Sequence, residues 1–216
     1  MDNLLDQRKV GFLIGALVLA GVGIYFFQDS ADRKDQEGKT ALYQVQKNYE
    51  EETAALPEAE RSTGAALDVD GKYSKTVAGL TQMLNEKKAS SRILFEAVMK
   101  LANLYLDHNQ TEKAVAVLKN VGDYAKSGFQ KASGFYLLGV AHERLSQFKE
   151  ASDAFDKGLS QNVDGLKGEL FLGMVRTSLK LNDKGRAKLY LEKMNKEVAG
   201  SRAAETADEM VKGANT

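Results

Sequence analysis

The chain has 216 residues, enough for one domain and an appendage, and its 30 basic and 30 acidic residues cancel. That balance removes any general attraction to nucleic acid or anionic lipid. The absence of cysteine excludes a disulfide scaffold, a thiol nucleophile and thiolate-bound zinc, while a single proline amid many Ala, Leu, Lys, Glu and Gln residues favours helix.

Residues 1–9 form a short tail ending in Arg8 and Lys9. From Val10 to Phe27 the chain reads VGFLIGALVLAGVGIYFF, eighteen residues without a charge. As a helix this run spans about 27 Å, close to a hydrocarbon core. Tyr25, Phe26 and Phe27 stand at its far end, where aromatic rings favour the interface. A cleaved signal peptide is the competing reading, but the best cleavage position puts Ala31 at −1 and Asp29 at −3, a poor fit. The run is therefore expected to be an uncleaved, single-pass signal-anchor over residues 10–27. Arg8 and Lys9 on the near side against Asp29 and Asp32 on the far side predict a cytoplasmic N-terminus and an extracytoplasmic domain. In a Gram-negative cell that is an inner-membrane protein facing the periplasm. Gly11 and Gly15 give a G-x-x-x-G stripe that lets two membrane helices approach, although such residues are common in membrane helices; oligomeric state stays open.

Residues 28–39 are charged and read as a juxtamembrane spacer, followed by a helical-repeat domain over 40–213. Leu42, Val45, Tyr49 and Leu56 recur at roughly helical spacing. Residues 57–72, PEAERSTGAALDVDGK, read as a loop with room for a fragment of helix. Asp68, Asp70 and Gly71 faintly suggest a calcium loop, but the remaining ligand spacing is missing, and a solvated turn is the expectation.

From Tyr73 onward the pattern is helical and repetitive. Ala114, Ala151 and Ala187, each followed four residues later by a large apolar residue, are 37 and 36 residues apart. An amphipathic stretch precedes each, so every unit reads as two antiparallel helices that bury their apolar faces by stacking. Small residues such as Ala102, Gly139 and the three alanines suit close crossings, and Leu138, Phe148, Phe155 and Leu159 suit the space between units. Ser201 is placed to cap a final helix whose inner face is Ala204, Met210 and Val211.

The stretch FYLLGVAHERLSQFKEASDAFDKGL, Phe135 to Leu159, resembles a tetratricopeptide (TPR) unit at Phe135, Leu138, Gly139, Leu145, Phe148, Ala151, Phe155 and Leu159. The spacing is slightly longer than the usual unit of about 34 residues, the closing proline is missing, and His142 replaces the customary tyrosine. The expected fold is therefore all-α: one transmembrane helix followed by a TPR-like solenoid. The whole layout is similar to the ancillary subunit of the bacterial Sec translocon. That resemblance implies a place beside the translocon and association with periplasmic chaperones.

Catalytic material is scarce. His108 and His142 are the only histidines, and no phosphate loop, dinucleotide fingerprint or nucleophile elbow appears. No catalytic or metal residue is assigned and no cofactor is implied. The TPR register instead predicts a concave groove for proteins or peptides, lined by Met99, Asn103 and Leu106, then Tyr136, Val140 and Glu143, then Leu172, Arg176 and Leu179. A clamp for a C-terminal carboxylate is matched only at Asn103, since Met99 stands where a lysine belongs. The expected role is a membrane-held, non-enzymatic accessory or chaperone-like factor in secretion or envelope folding. An assembly scaffold for a cell-wall or outer-membrane complex is the alternative.

Overall fold

The computed structural model describes residues 30, 32–61 and 67–214, and every regular element among them is helical. The apolar run at 10–27, with Gly11 and Gly15, lies outside the described residues; within them no helix is long and apolar enough to cross a membrane. The first helix, α1, covers residues 32–55 and thus runs through most of the segment read as a spacer. The helix holds there because its small Gly38 is buried: a Cβ at that position would sit 2.7 Å from Ala89 Cβ. No larger side chain fits without moving one of the two backbones.

Of the segment 57–72, the described residues 57–61 and 67–72 are partly helical. Two single turns, α2 (Glu58–Arg61) and α3 (Val69–Lys72), precede α4 (Ser74–Glu86). The C-terminal carbonyls of α1 are satisfied from this segment, since Arg61 donates from Nε to Leu56 O at 2.7 Å and from Nη2 to Ala54 O at 2.8 Å. Asp70 accepts from Tyr105 Oη at 2.8 Å and pairs with Lys113 at 2.7 Å. The carboxylate that hinted at calcium is thus a tie to the following helices, and Lys113 beside it, followed by Tyr105, keeps it below the usual carboxylate range.

Three helix pairs follow: α5 (Ser91–Asp107) with α6 (Thr111–Leu118), α8 (Gly128–Arg144) with α9 (Phe148–Leu159), and α10 (Asp164–Lys180) with α11 (Lys184–Glu197). The single turn α7 (Val121–Tyr124) links the first pair to the second, and α12 (Arg202–Gly213) closes the chain. Each pair turns in the same way. Asn109, Ser146 and Asn182 all adopt positive φ, at 60°, 57° and 58°. Gln110 N, Gln147 N and Asp183 N then reach back to the carbonyls of Tyr105, His142 and Ser178 at 2.8–2.9 Å. This is the six-to-one bond of a Schellman ending, and it reverses the chain within three residues. The turn recurs at intervals of 37 and 36, the intervals of Ala114, Ala151 and Ala187, which are all fully buried. The sequence period and the structural period coincide.

Phe155 shows why small residues alternate with large ones. Its ring is fully buried, and a Cβ on Gly139 would lie 2.4 Å from one edge, a Cβ on Gly173 2.7 Å from the other. The ring of α9 is therefore gripped between α8 of its own pair and α10 of the next. Burying it stabilises the stack by about 1.5–3 kcal/mol relative to exposure. Two hydrophobic clusters result, one spanning α1 to α8 and one spanning α8 to α12. Ser201 Oγ accepts from Ala204 N at 3.2 Å to start α12, which turns buried Ala204 and Val211 and half-buried Met210 toward the second cluster.

Helices α1 and α4 make a further pair ahead of the three. Late α1 meets early α4, where Glu52 accepts from Lys75 N, Thr76 N and Thr76 Oγ1 at 2.7–3.1 Å. Early α1 meets the start of α5, where Asp35 accepts from Ser90 Oγ at 2.9 Å and pairs with Arg92 at 3.3 Å. So α1 runs antiparallel to α4 and alongside α5 in the same direction.

Candidate protein-binding groove

The first helices of successive pairs, α5, α8 and α10, carry the nine residues expected to line a groove. Their positions are related by the same shifts of 37 and 36 that relate the turns. Seven keep surface: Asn103 is exposed, and Met99, Tyr136, Val140, Glu143, Arg176 and Leu179 are half-buried. The other two are corrections. Leu106, 4% exposed, belongs to the first cluster, and Leu172, 8% exposed, belongs to the second. Leu106 is sealed at its backbone as well, since Arg144 of α8 donates from Nη1 to its carbonyl at 2.8 Å. An apolar side chain facing a neighbouring helix gains more from burial there than from display to solvent.

At the centre of the surface Glu143 and Arg176 form a two-pronged pair, Nε to Oε1 at 3.0 Å and Nη2 to Oε2 at 2.6 Å. Such a fork holds both groups in one orientation and joins α8 to α10. Glu143 raises the Arg176 pKa further, and burial works against it. Tyr136 lies in the same field: burial pushes its phenol pKa up, and Glu169 adds to this. Its ring packs 6.1 Å from that of Phe155, so this part of the surface rests on the gripped aromatic. The Nε–Nη2 edge of Arg176 is thus occupied by Glu143, which leaves only the Nη1 side of the guanidinium to meet a further acceptor.

Asn103 opens onto a second feature, which the sequence did not reveal. Between α1 and α5 lies a hollow of about 190 Å³, with Val45, Tyr49, Leu80 and Leu104 among its walls. Gln46 and Lys100, joined at 3.3 Å, sit on its rim with Asn103 and Asp107. The signal for α1 was visible as the Leu42–Val45–Tyr49 spacing, yet nothing local says that this face meets a helix some fifty residues later. A wider hollow of about 540 Å³ between α9, α10 and α11 contains Lys167, Lys193 and Lys196 with Asp156 and Glu197. There Lys167 is already paired with Asp164 at 2.9 Å and Glu197 at 3.2 Å.

The histidines serve packing and turns. His108 is buried with its ring 5.6 Å from that of Tyr73, and His142 Nδ1 lies 2.7 Å from Gln147 Oε1 in the second turn. Among the described residues no group of three or more His, Cys, Asp or Glu side chains is arranged to hold a metal ion. Comparison with known proteins finds neither a family model nor a curated protein that matches the chain.

Proposed function

We propose that this chain is a membrane-anchored, non-enzymatic protein-binding module whose stacked pairs are divergent TPR units. In this reading residues 10–27 hold it in the inner membrane with the helical domain on the extracytoplasmic side. The observation that carries it is the surface made by α5, α8 and α10, where apolar Val140 and half-buried Tyr136 flank the fixed Glu143–Arg176 fork. A surface that mixes apolar and oriented polar groups suits recognition of an extended or helical protein segment. The TPR assignment draws support from the fully buried alanines at 37 and 36, the ring of Phe155 between two glycines, and the thrice-repeated turn. Accessory or chaperone-like work in secretion or envelope folding is the leading role, with translocon components and periplasmic chaperones as the partner class.

A photoreactive residue placed at Val140 or Arg176 in living cells tests this. The expected outcome is capture of a discrete protein, with recovery of translocon components or chaperones in the captured set. Capture of a cell-wall or outer-membrane assembly factor alone would move the role to scaffold. Protease treatment of intact and permeabilised cells checks the topology, and a domain degraded only after the inner membrane is opened would reverse the orientation.

A further inference from the structure

We infer that the hollow between α1 and α5 is an anchor pocket for one large apolar side chain of a bound protein segment, and that this segment carries a basic residue about one helical turn away. The inference rests on the protein-binding reading above and names the chemistry of the partner. Three features of the hollow point to this occupant. The first is size: its roughly 190 Å³ exceeds the ~150 Å³ that suffices for a benzene ring in an apolar cavity, yet is too small for several side chains.

The second is rigidity. Tyr49, which forms part of the wall, stacks on Tyr73 with ring centres 5.4 Å apart and planes 16° apart. Val45 is 4% exposed and faces Gly79 of α4, where an added Cβ would come within 2.8 Å of it. Tyr73 is itself nearly fully buried. A pocket whose walls are already ordered loses little entropy when a side chain enters, which is how small contacts come to dominate an interface.

The third is charge. Lys100 on the rim is engaged by Gln46 and lies 4.0 Å from Glu96. Asp107, one turn beyond Asn103 on α5, is exposed and is in no ion pair among the described residues. Asn103 between them offers both donors and an acceptor to a passing backbone. A cation beside the inserted side chain at the Asp107 end therefore meets an unpaired carboxylate, while Lys100 at the other end is shared with Gln46 and Glu96. Because α1 supplies one wall, the pocket exists only while α1 is docked on α5.

The chain contains no tryptophan, so the emission of a tryptophan-bearing probe reports on the probe alone. The probe is a short acetylated and amidated Ala/Gln helical peptide with one Trp and an Arg one turn away. The full chain is held in lipid discs, with empty discs as the control. A blue shift is expected with the wild-type chain, and a version with Phe for Trp competes for the site. Asn103→Phe fills the mouth from an exposed position and weakens binding at least about tenfold. Asp107→Lys weakens the Arg peptide and strengthens one with Glu in its place, a swap that a misfolded variant cannot produce. Equal binding by all three chains, or a shift with empty discs alone, would overturn the pocket. So would a wild-type chain that ignores the peptide yet loses self-association on Asn103→Phe, since the occupant is then a second copy. Partners captured from Val140 and Arg176 equally well by Asn103→Phe would sink the pocket and leave the groove standing. No partner captured from any groove position, with no peptide bound, would remove both.

Discussion

From α5 to α12 the chain is built by repetition, and from α1 to α4 it is built by exception. In the repetitive part each pair reverses through a three-residue turn, and the second and third pairs meet at a fully buried ring pressed on two glycines. In the N-terminal part α2 and α3 lie between α1 and α4, and polar ties do much of the locating. Asp35 reaches Ser90 and Arg92, Glu52 reaches the start of α4, and Asp70 reaches Tyr105 and Lys113. Close apolar packing recurs wherever small residues permit helices to approach. Where an inserted segment breaks the period, side chains with longer reach do the fixing.

The largest effect should come from breaking the repetitive half. Phe155→Ala removes a ring held on both sides and is expected to cost about 3–5 kcal/mol, read as a lowered urea midpoint. The cost should appear as earlier opening of α8 to α11 in hydrogen exchange, with α1 and α4 less affected. Equal loss of protection in both parts would mean that the array unfolds as one unit, with no separate stability in the repetitive part.

That half was also the part legible in the sequence. Ala114, Ala151 and Ala187 announce themselves because their partners lie four residues away and the period repeats them. The nine positions expected to line a groove come from the same period, and of these Asn103 is exposed and six are half-buried. Leu106 and Leu172 misled because the register fixes direction along a helix, whereas burial depends on what the neighbouring helix places opposite. Glu52 could not be read at all. It serves as the cap that α4 lacks locally, since Tyr73 at the N-cap position makes no side-chain capping bond, and its target lies 23 residues on. The same is true of the hollow at Asn103, whose other wall comes from α1.

A smaller effect should follow from removing that distant cap. Glu52→Ala strips acceptors from the first turn of α4 and is expected to cost about 1 kcal/mol, visible as a lower thermal midpoint. Glu52→Gln keeps one acceptor oxygen and should recover part of the loss. If neither variant shifts the midpoint, the polar ties of this half are ornaments on an apolar interface.

The smallest effect expected is local and depends on pH. Hydrogen bonds from Lys39, then Ser90 and Arg92, lower the Asp35 pKa to about 2. A carboxyl with a depressed folded pKa contributes fully above its unfolded value, near 4, and the contribution is lost as pH falls toward about 2. Amide exchange over residues 32–40 should therefore rise in that interval beyond its intrinsic change, while α8 to α11 stay protected. Asp35→Asn should show no such step. A step that persists in the variant would assign it to another carboxyl.

The parallel run of α1 beside α5 has a mechanical meaning. A pull on the N-terminal end of α1, the end that follows the apolar run, enters the domain through one helix and travels along it in a fixed order. Load falls first on the clasp of Asp35 with Ser90 and Arg92, next on the close seat of Gly38 against Ala89, and only then on Val45 and Tyr49. The clasp works as a fuse ahead of the pocket wall: tension that opens it leaves the hollow standing, and tension that runs one or two turns further dismantles it. The stacked pairs from α8 onward lie outside that line of force.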